Sequence, residues 1–184
     1  MNPRFFSLGF FAYISCITKR NMNIISLKSE LIAAENLNSV RRSRGKHSLN
    51  LATEIAEELS ALVFSELNGT EYEVAVASTK GYDIFTKEHK VEVKSVASMH
   101  RNIGNLKDKT VSNQIVVIWF AENTMLRVDR VVIYNTVEIL EAVKADGNIK
   151  GLFTRKMQNE WYDLNKGQEI TQHFQNVIDK VLVS

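Results

Sequence analysis

Cysteine and proline are almost absent from this sequence, with one residue of each among 184. A single cysteine excludes an internal disulfide framework of the kind that stabilises small secreted domains. The near absence of proline argues against a proline-rich linker or tail. With 45% hydrophobic and 24% charged residues, the chain has the composition of an ordinary globular domain. We therefore expect a soluble, cytoplasmic protein that is stabilised by its own hydrophobic core.

The chain also lacks a strong net charge, because 23 basic residues oppose 21 acidic residues and give a formal charge of +2. A large basic excess would by itself indicate a partner with many phosphates, and a large acidic excess would indicate a solvating surface. Neither excess is present. Bulk charge therefore leaves the class of partner open, and only local clusters of charged residues can be informative.

Long hydrophobic runs are missing as well. The apolar stretch at residues 5–17 is shorter than the ~20 residues that a membrane-spanning helix needs. It is also not followed by the small residues of a signal-peptide cleavage site. We expect no membrane association. We divide the chain into an amino-terminal extension over residues 1–21, which need not belong to the fold, and a single domain over residues 22–184.

Helical periodicity is clearest in residues 48–67, which carry one apolar face and are followed by the left-handed cap Asn68-Gly69. Asn135 and Glu138 have the spacing of a capping box, which predicts the start of another helix. In addition to 48–67, the pattern predicts helices at residues 27–37, 136–145 and 168–182.

A period of two predicts strands at residues 72–77, 82–86, 91–96, 114–120 and 127–134. Residues 114–120 are mostly apolar and β-branched or aromatic, as expected for a strand that is buried on both faces. Residues 97–113 are polar and irregular, and they stay unassigned between a loop and a weak helix. The order of the elements predicts an α/β fold in which a central mixed β-sheet is flanked by helices.

Two adjoining predicted strands bring acidic and basic side chains to one place. Alternation along the second strand directs its valines to one face and Glu92 and Lys94 to the other. Asp83 lies on the preceding strand of the same hairpin, so strand pairing can bring its carboxylate toward Glu92. The predicted cluster therefore contains two carboxylates within reach of one cation.

Such a cluster suits the hydrolysis of a phosphodiester bond, which needs a bound divalent metal, an activated water and positive charge near the phosphorus. Asp83 and Glu92 are the predicted Mg²⁺ ligands, and the main-chain carbonyl of Val93 is a further candidate. The ammonium group of Lys94 would orient or help deprotonate the attacking water and stabilise the transition state. Mn²⁺ is a plausible substitute for Mg²⁺, and no small-molecule cofactor is expected.

The Glu-x-Lys pattern alone is weak, because about one copy is expected by chance in a chain of this length. Glu88-His89-Lys90 also fits it, but this copy lies in a predicted polar turn, where its side chains would be solvated. The copy at Glu92 and Lys94 gains weight from its strand, its flanking valines and the Gly81-Tyr82-Asp83 passage one hairpin earlier. The competing interpretation is a salt-bridged hairpin face without catalysis.

With these residues the passage resembles the PD-(D/E)XK nuclease superfamily, which includes type II restriction endonucleases and archaeal Holliday-junction resolvases. Asp83 looks like the first carboxylate of the motif, Glu92 like the second and Lys94 like its lysine, while Tyr82 replaces the leading proline. The resemblance covers residues 48–145. It implies a restriction-endonuclease-like core and a Mg²⁺-dependent endonuclease that hydrolyses DNA.

Members of this superfamily often add a carboxylate from the first helix, and the resemblance implies one here. Glu58 is the first choice, because at ~100° per residue it lies beside the apolar face of the predicted helix, and Glu54 is the second. Glu57 lies opposite that face, and Glu66 also competes. The alternative for each is an ordinary solvated helix carboxylate.

The resemblance further implies DNA as the partner and a homodimer, since cutting both strands at one site usually requires two symmetry-related active sites. A type II restriction-like enzyme is the first interpretation. One alternative is a Holliday-junction resolvase or repair nuclease, and another is a catalytically inactive nucleic-acid-binding or assembly module with the nuclease fold. The near-neutral charge favours the first, because a resolvase would be expected to carry a broader basic face.

Local clusters of polar and basic residues provide candidates for phosphate contacts. They come from a basic run, from the end of the Glu-x-Lys strand and from a later polar stretch: Arg42, Arg44, Lys46, Ser95, His100, Arg101 and Lys107. A solvated surface without a nucleic-acid partner is the alternative for each.

Overall fold

A single β-sheet organises the part of the chain that the computed structural model describes. The described residues are 19–20, 24–45, 52–76, 81–96, 103, 106, 111–122, 124–147, 153–163 and 165–184. In chain order, the elements are β1 (Lys19–Arg20), α1 (Ile24–Ser43), α2 (Ala52–Asn68), β2 (Glu73–Ala75), β3 (Ile84–Phe85), β4 (Lys90–Val96), β5 (Gln114–Phe120), β6 (Val128–Asn135), α3 (Thr136–Ala145), α4 (Arg155–Asp163), β7 (Gln168–Glu169) and α5 (Thr171–Val183).

The seven described strands lie in the sheet in the order in which they occur in the chain. All neighbouring pairs are antiparallel except β4 and β5, which run parallel. A parallel neighbour cannot be reached by a tight turn, so the chain between β4 and β5 must cross one face of the sheet. Ile103 and Leu106, which belong to this crossover, are buried.

Helices cover both faces of the sheet and produce two hydrophobic cores. On one face, called here the three-helix face, α1, α2 and α5 pack against strand residues that include Val93 and Val116. On the other, called the two-helix face, α3, α4 and the crossover pack against residues that include Ile115 and Val117. The predicted α/β architecture, a mixed sheet flanked by helices, is therefore confirmed.

The strand predictions are most accurate where the hydrophobic signal is strongest. β5 has the predicted bounds, and its residues after Gln114 are all buried because both faces of the strand are covered. β4 begins one residue earlier than predicted, and β6 is shifted by one residue at both ends. β2 and β3 are shorter than predicted, and the ladder between β3 and β4 is irregular at Asp83, whose main-chain nitrogen donates to the carbonyl of Val91. Residue 77, at the end of the first predicted strand, lies outside the described residues.

Two short strands at the edges of the sheet depart from the prediction. Lys19 and Arg20, assigned above to the amino-terminal extension, pair with β2 as strand β1. Residues 1–18 lie outside the described residues. Gln168 and Glu169 were predicted to begin the final helix, but they pair with β6 as strand β7. The final helix therefore begins at Thr171, because the residues before it use their main-chain groups in the sheet.

The helix predictions hold for α2 and α3. α2 ends at Asn68, and Gly69 follows with a φ of +64°, although residues 48–51 lie outside the described residues. α3 has the predicted bounds, and Asn135 Oδ1 accepts hydrogen bonds from the main-chain nitrogens of Val137 and Glu138, at 2.9 and 3.3 Å.

Two helices were underestimated because apolar spacing detects only the residues that face a core. α1 is longer than the predicted 27–37, since exposed Ile24 and Ile25 extend it at its start and a mostly polar segment extends it at its end. α4 was not predicted, because its nine residues are mostly polar. None of the helices in the described part of the chain is long and apolar enough to cross a membrane.

The Asn135 cap provides a local test of these energetics. We expect Asn135→Ala to lower the free energy of unfolding by about 1 kcal/mol, because two amides at the start of α3 lose their acceptor. Asn135→Asp keeps an acceptor oxygen and should retain most of the stability. Urea denaturation of the three proteins measures the difference, and equal losses in the two variants would contradict the capping role.

Candidate active site

Strand β3 separates from β4 at Asp83. The two strands pair through Ile84 and Val91, and one further step in this register puts Asp83 opposite Glu92. The ladder is irregular at that step, because the main-chain nitrogen of Asp83 donates to the carbonyl of Val91 at 2.9 Å. Asp83 itself is no longer part of the strand. The regular ladder between β3 and β4 therefore ends beside this residue, at a point called here the opening between the two strands.

The Asp83 side chain takes the place of the missing strand partner. Its Oδ2 accepts a hydrogen bond of 2.7 Å from the main-chain nitrogen of Val93. Val93 is buried, so its amide would cost about 1–3 kcal/mol without an acceptor. The donating nitrogen belongs to the peptide bond that joins Glu92 to Val93. The hydrogen bond therefore fixes the Asp83 carboxylate beside the main chain of Glu92.

Glu92 and Lys94 form a close ion pair. Glu92 Oε1 and Lys94 Nζ are 2.6 Å apart, and the exposed fractions of the two side chains are 1% and 22%. Their partners in β5 are Ile115 and Val117, so the pair lies on the two-helix face. A buried carboxylate is costly without a compensating charge. Lys94 therefore stabilises Glu92, while its own ammonium stays partly accessible.

The three residues that the motif singled out are neighbours in the fold, because Asp83 binds the amide of the residue that lies between Glu92 and Lys94. Two carboxylates and one ammonium, when all are ionised, sum to −2 + 1 = −1. A divalent cation would change this sum to +1. A bound divalent cation would therefore favour a phosphate at this position.

The residues present fit a hard cation that keeps part of its hydration shell. Val93 directs its amide toward Asp83, and the carbonyl of a strand residue faces the same neighbour as its amide. Two carboxylates and this carbonyl match Mg²⁺, which is usually held by one or two carboxylates and keeps several waters. No group of three or more His, Cys, Asp or Glu side chains that could hold a metal occurs among the described residues. The described residues therefore do not form a metal site in which side chains supply all the ligands.

The turn that leads into Asp83 requires glycine. Gly81 has a φ of +92°, and a Cβ atom added there would lie 2.9 Å from the Cβ of Val111. A side chain at this position would be strained by the backbone conformation and would also clash with a neighbouring segment. Gly81 therefore lets the chain pass close to Val111 and enter β3 with Asp83 at the opening.

The candidate helix carboxylates lie on α2, which packs on the three-helix face. Glu58, the first choice, is 6% exposed, whereas Glu54 is exposed. Glu66 pairs with Lys180 at 2.8 Å on the surface. Burial distinguishes Glu58 from Glu54 and Glu66. However, Glu58 lies on α2, which covers the face of the sheet opposite the Glu92–Lys94 pair. Its catalytic role stays a prediction.

The predicted phosphate contacts have different surroundings. Arg42 donates to Glu35 at 3.0 Å, and the second oxygen of Glu35 accepts from the main-chain nitrogen of Met125, so Arg42 helps to join α1 to the loop after β5. Arg44 is exposed. Ser95 is partly exposed, but alternation along β4 directs it to the three-helix face, away from Lys94. The remaining candidates lie outside the described residues: Lys46, His100, Arg101 and Lys107.

The second copy of the Glu-x-Lys pattern forms no comparable cluster. Glu88 is exposed in the turn between β3 and β4, as predicted. His89 is only partly exposed, because its Nδ1 lies 3.1 Å from the Tyr72 hydroxyl. Burial raises the pKa of Tyr72, so its phenol stays neutral. A groove of about 590 Å³ adjoins these residues, at the end of the hairpin away from Asp83.

An aromatic and cationic group beside the site was not predicted. The ring centres of Tyr82 and Phe85 are 5.5 Å apart in an edge-to-face arrangement, and Lys90 Nζ lies 4.8 Å from the centre of the Tyr82 ring. All three side chains are partly exposed. The interleaving of aromatic and basic residues between positions 82 and 90 was the available signal.

Comparison with family models, with curated proteins and with solved structures gives no match to this chain. The resemblance to the PD-(D/E)XK superfamily therefore stays a prediction.

The contact between Asp83 and Val93 predicts different effects for two substitutions. Asp83→Ala removes the acceptor of a buried amide and should lower the free energy of unfolding by about 1–3 kcal/mol. Asp83→Asn keeps an acceptor oxygen while removing the charge, so it should be less destabilising. Urea denaturation of the two variants distinguishes them. A loss from Asp83→Asn as large as that from Asp83→Ala would show that the hydrogen bond is not the main contribution of this side chain.

Proposed function

We propose that this protein is a metal-dependent endonuclease that hydrolyses phosphodiester bonds of DNA, with Asp83, Glu92 and Lys94 in its active site. The observation that carries the proposal is their convergence at the opening between β3 and β4. Asp83 is held 2.7 Å from the amide that follows Glu92, and the Glu92 carboxylate is held 2.6 Å from the Lys94 ammonium. Phosphodiester hydrolysis uses this combination of groups.

Each residue has a role that follows from its contacts. The Val93 amide orients Asp83, and Lys94 orients Glu92, so both carboxylates are prearranged for a cation. Bound Mg²⁺ would supply electrophilic stabilisation of the phosphate and a more acidic water, and Mn²⁺ would be a substitute. The partly exposed ammonium of Lys94 can donate to the attacking water or to a phosphate oxygen.

The burial of Glu92 argues against a purely structural ion pair. A surface pair would contribute little stability, but this carboxylate is almost fully buried. Replacing a buried ion pair by apolar residues of similar size is often neutral or stabilising. The core next to β4 therefore gains no clear stability from these charges. A requirement for a cation and a phosphate explains the pair better than folding does.

The finer predictions follow from the resemblance. Helix α2, the antiparallel strands β2 to β4 and the parallel strand β5 fall within the segment that the resemblance covers, which supports a restriction-endonuclease-like core. A restriction-type homodimer and a resolvase or repair enzyme both remain proposals. The same fold without activity, as a nucleic-acid-binding or assembly module, is the proposal from another class.

Cleavage of supercoiled plasmid tests the enzymatic proposal. We expect nicking that requires Mg²⁺ and stops with EDTA. Asp83→Asn and Lys94→Met should each lower the rate by about 100-fold or more, because they remove a ligand charge and the ammonium at the reacting group. Lys87→Ala is the matched control, since it removes one positive charge from an exposed residue in the turn between β3 and β4.

Thermal unfolding of each variant shows whether it is folded under the assay conditions. Wild-type rates in both Asp83→Asn and Lys94→Met would point to a contaminant or to another site. A wild-type protein that binds DNA but cleaves no supercoiled, linear, branched or single-stranded substrate would contradict the enzyme and favour the inactive module.

A further inference from the structure

The partly exposed group formed by Tyr82, Phe85 and Lys90 lies on the same side of the sheet as the Glu92–Lys94 pair. Phe85 is the register partner of Lys90, and Lys90 alternates along β4 with Glu92 and Lys94, so these side chains share one face. Lys90 and Glu92 are two residues apart, which is about 7 Å along a strand. That length corresponds to about two nucleotides at the ~3.4 Å spacing of stacked bases.

The aromatic rings do not contribute to the interior of the protein. Neither Tyr82 nor Phe85 belongs to the two hydrophobic cores that the described residues form. Their edge-to-face contact and the Lys90 ammonium over the Tyr82 ring restrain the rings. The result is a restrained, partly solvated aromatic surface with a positive charge over one face of the Tyr82 ring.

We propose that Tyr82, Phe85 and Lys90 form a subsite for an unpaired nucleotide, in which a base stacks on the aromatic surface and a phosphate contacts the ammonium of Lys90. In an intact duplex both faces of a base are covered by its neighbours, so an aromatic side chain can stack only on a base that is unpaired or flipped out. The substrate is therefore a single-stranded or branched nucleic acid.

This inference rests on the proposed nuclease function for its class of ligand. It also modifies that proposal, because a stacking subsite next to the reacting group favours the branched-substrate or repair alternative over cleavage of intact duplex. Lys94 and Lys90 would then contact phosphates of one strand, with Glu92 between them on β4.

Fluorescence anisotropy tests the subsite with a labelled 20-nucleotide oligothymidine and a duplex of the same length, which exceed the roughly 4–16 nucleotides that a single-strand-binding OB fold covers. EDTA in the buffer keeps the measurement independent of cleavage and of bound metal. We expect Tyr82→Ala to weaken single-strand binding about 5- to 160-fold, the range for one lost base–aromatic stack. Tyr82→Phe should bind like the wild type, and duplex binding should not change in either variant.

Salt dependence separates the stacking contact from the phosphate contact. Lys90→Ala should reduce the slope of log K against log salt concentration by about 0.7, the value for one phosphate contact on a single strand. Tyr82→Leu, which keeps an apolar side chain of substantial size, should weaken binding without changing this slope. Lys87→Ala removes the same charge from the exposed turn and should leave the slope unchanged.

Three results would overturn the subsite: equal losses for the single strand and the duplex, a Tyr82→Phe protein as weak as Tyr82→Ala, or no single-strand binding by the wild type. These results are independent of the plasmid assay. Cleavage without stacking would support the proposed function and contradict this subsite. Stacking without cleavage would support the subsite in a binding module.

Discussion

The hydrogen bond from the Val93 amide to the Asp83 carboxylate connects the fold to the proposed site. β3 leaves β4 at Asp83, and a strand that loses its neighbour exposes main-chain donors. The Asp83 side chain satisfies one of these donors and in doing so becomes fixed beside Glu92. Asp83, which the motif predicts to be catalytic, therefore also satisfies a main-chain donor of β4. This hydrogen bond to the main chain sets the position of its carboxylate.

The opening between the strands depends on two further constraints. Gly81, with its positive φ and close approach to Val111, sets the direction in which the chain enters β3. Helix α2 supports β4 from the three-helix face through residues of the core that includes Val93. The opposite side of the same strand can then carry Glu92 and Lys94. One strand thus divides its residues between stability, through its valines, and the proposed chemistry, through its charged residues.

Sequence alone predicts the features that depend on local periodicity. The buried strand β5, the capped helix α3 and the common face of Glu92 and Lys94 all follow from spacing, because period and face are local properties. The edge strands β1 and β7 and the polar helix α4 could not be predicted, because main-chain pairing and tertiary contacts determine them. The position of the Asp83 side chain could not be predicted either. Predicting this position requires knowing that β3 begins at Ile84, directly after Asp83, which no local pattern encodes.

The contact between Tyr82 and Phe85 could not be predicted from the sequence either. Strict alternation would send Tyr82 and Phe85 to opposite faces, yet their rings are in contact because the ladder is irregular at Asp83. The irregularity that directs the Asp83 carboxylate toward the Val93 amide therefore also brings an aromatic surface to the face of Glu92 and Lys94. Proximity of the two groups is a consequence of the backbone and could not be derived from composition or spacing.

Anomalous diffraction from crystals that contain Mn²⁺ tests the central claim most directly. If Asp83 and Glu92 hold a divalent cation, we expect one strong peak per chain within about 2.0–2.3 Å of oxygens from both residues, the usual range for a hard divalent cation in such a site. The peak should disappear in crystals of Asp83→Asn. A peak at another location, or none in crystals that diffract well at saturating Mn²⁺, would contradict this claim.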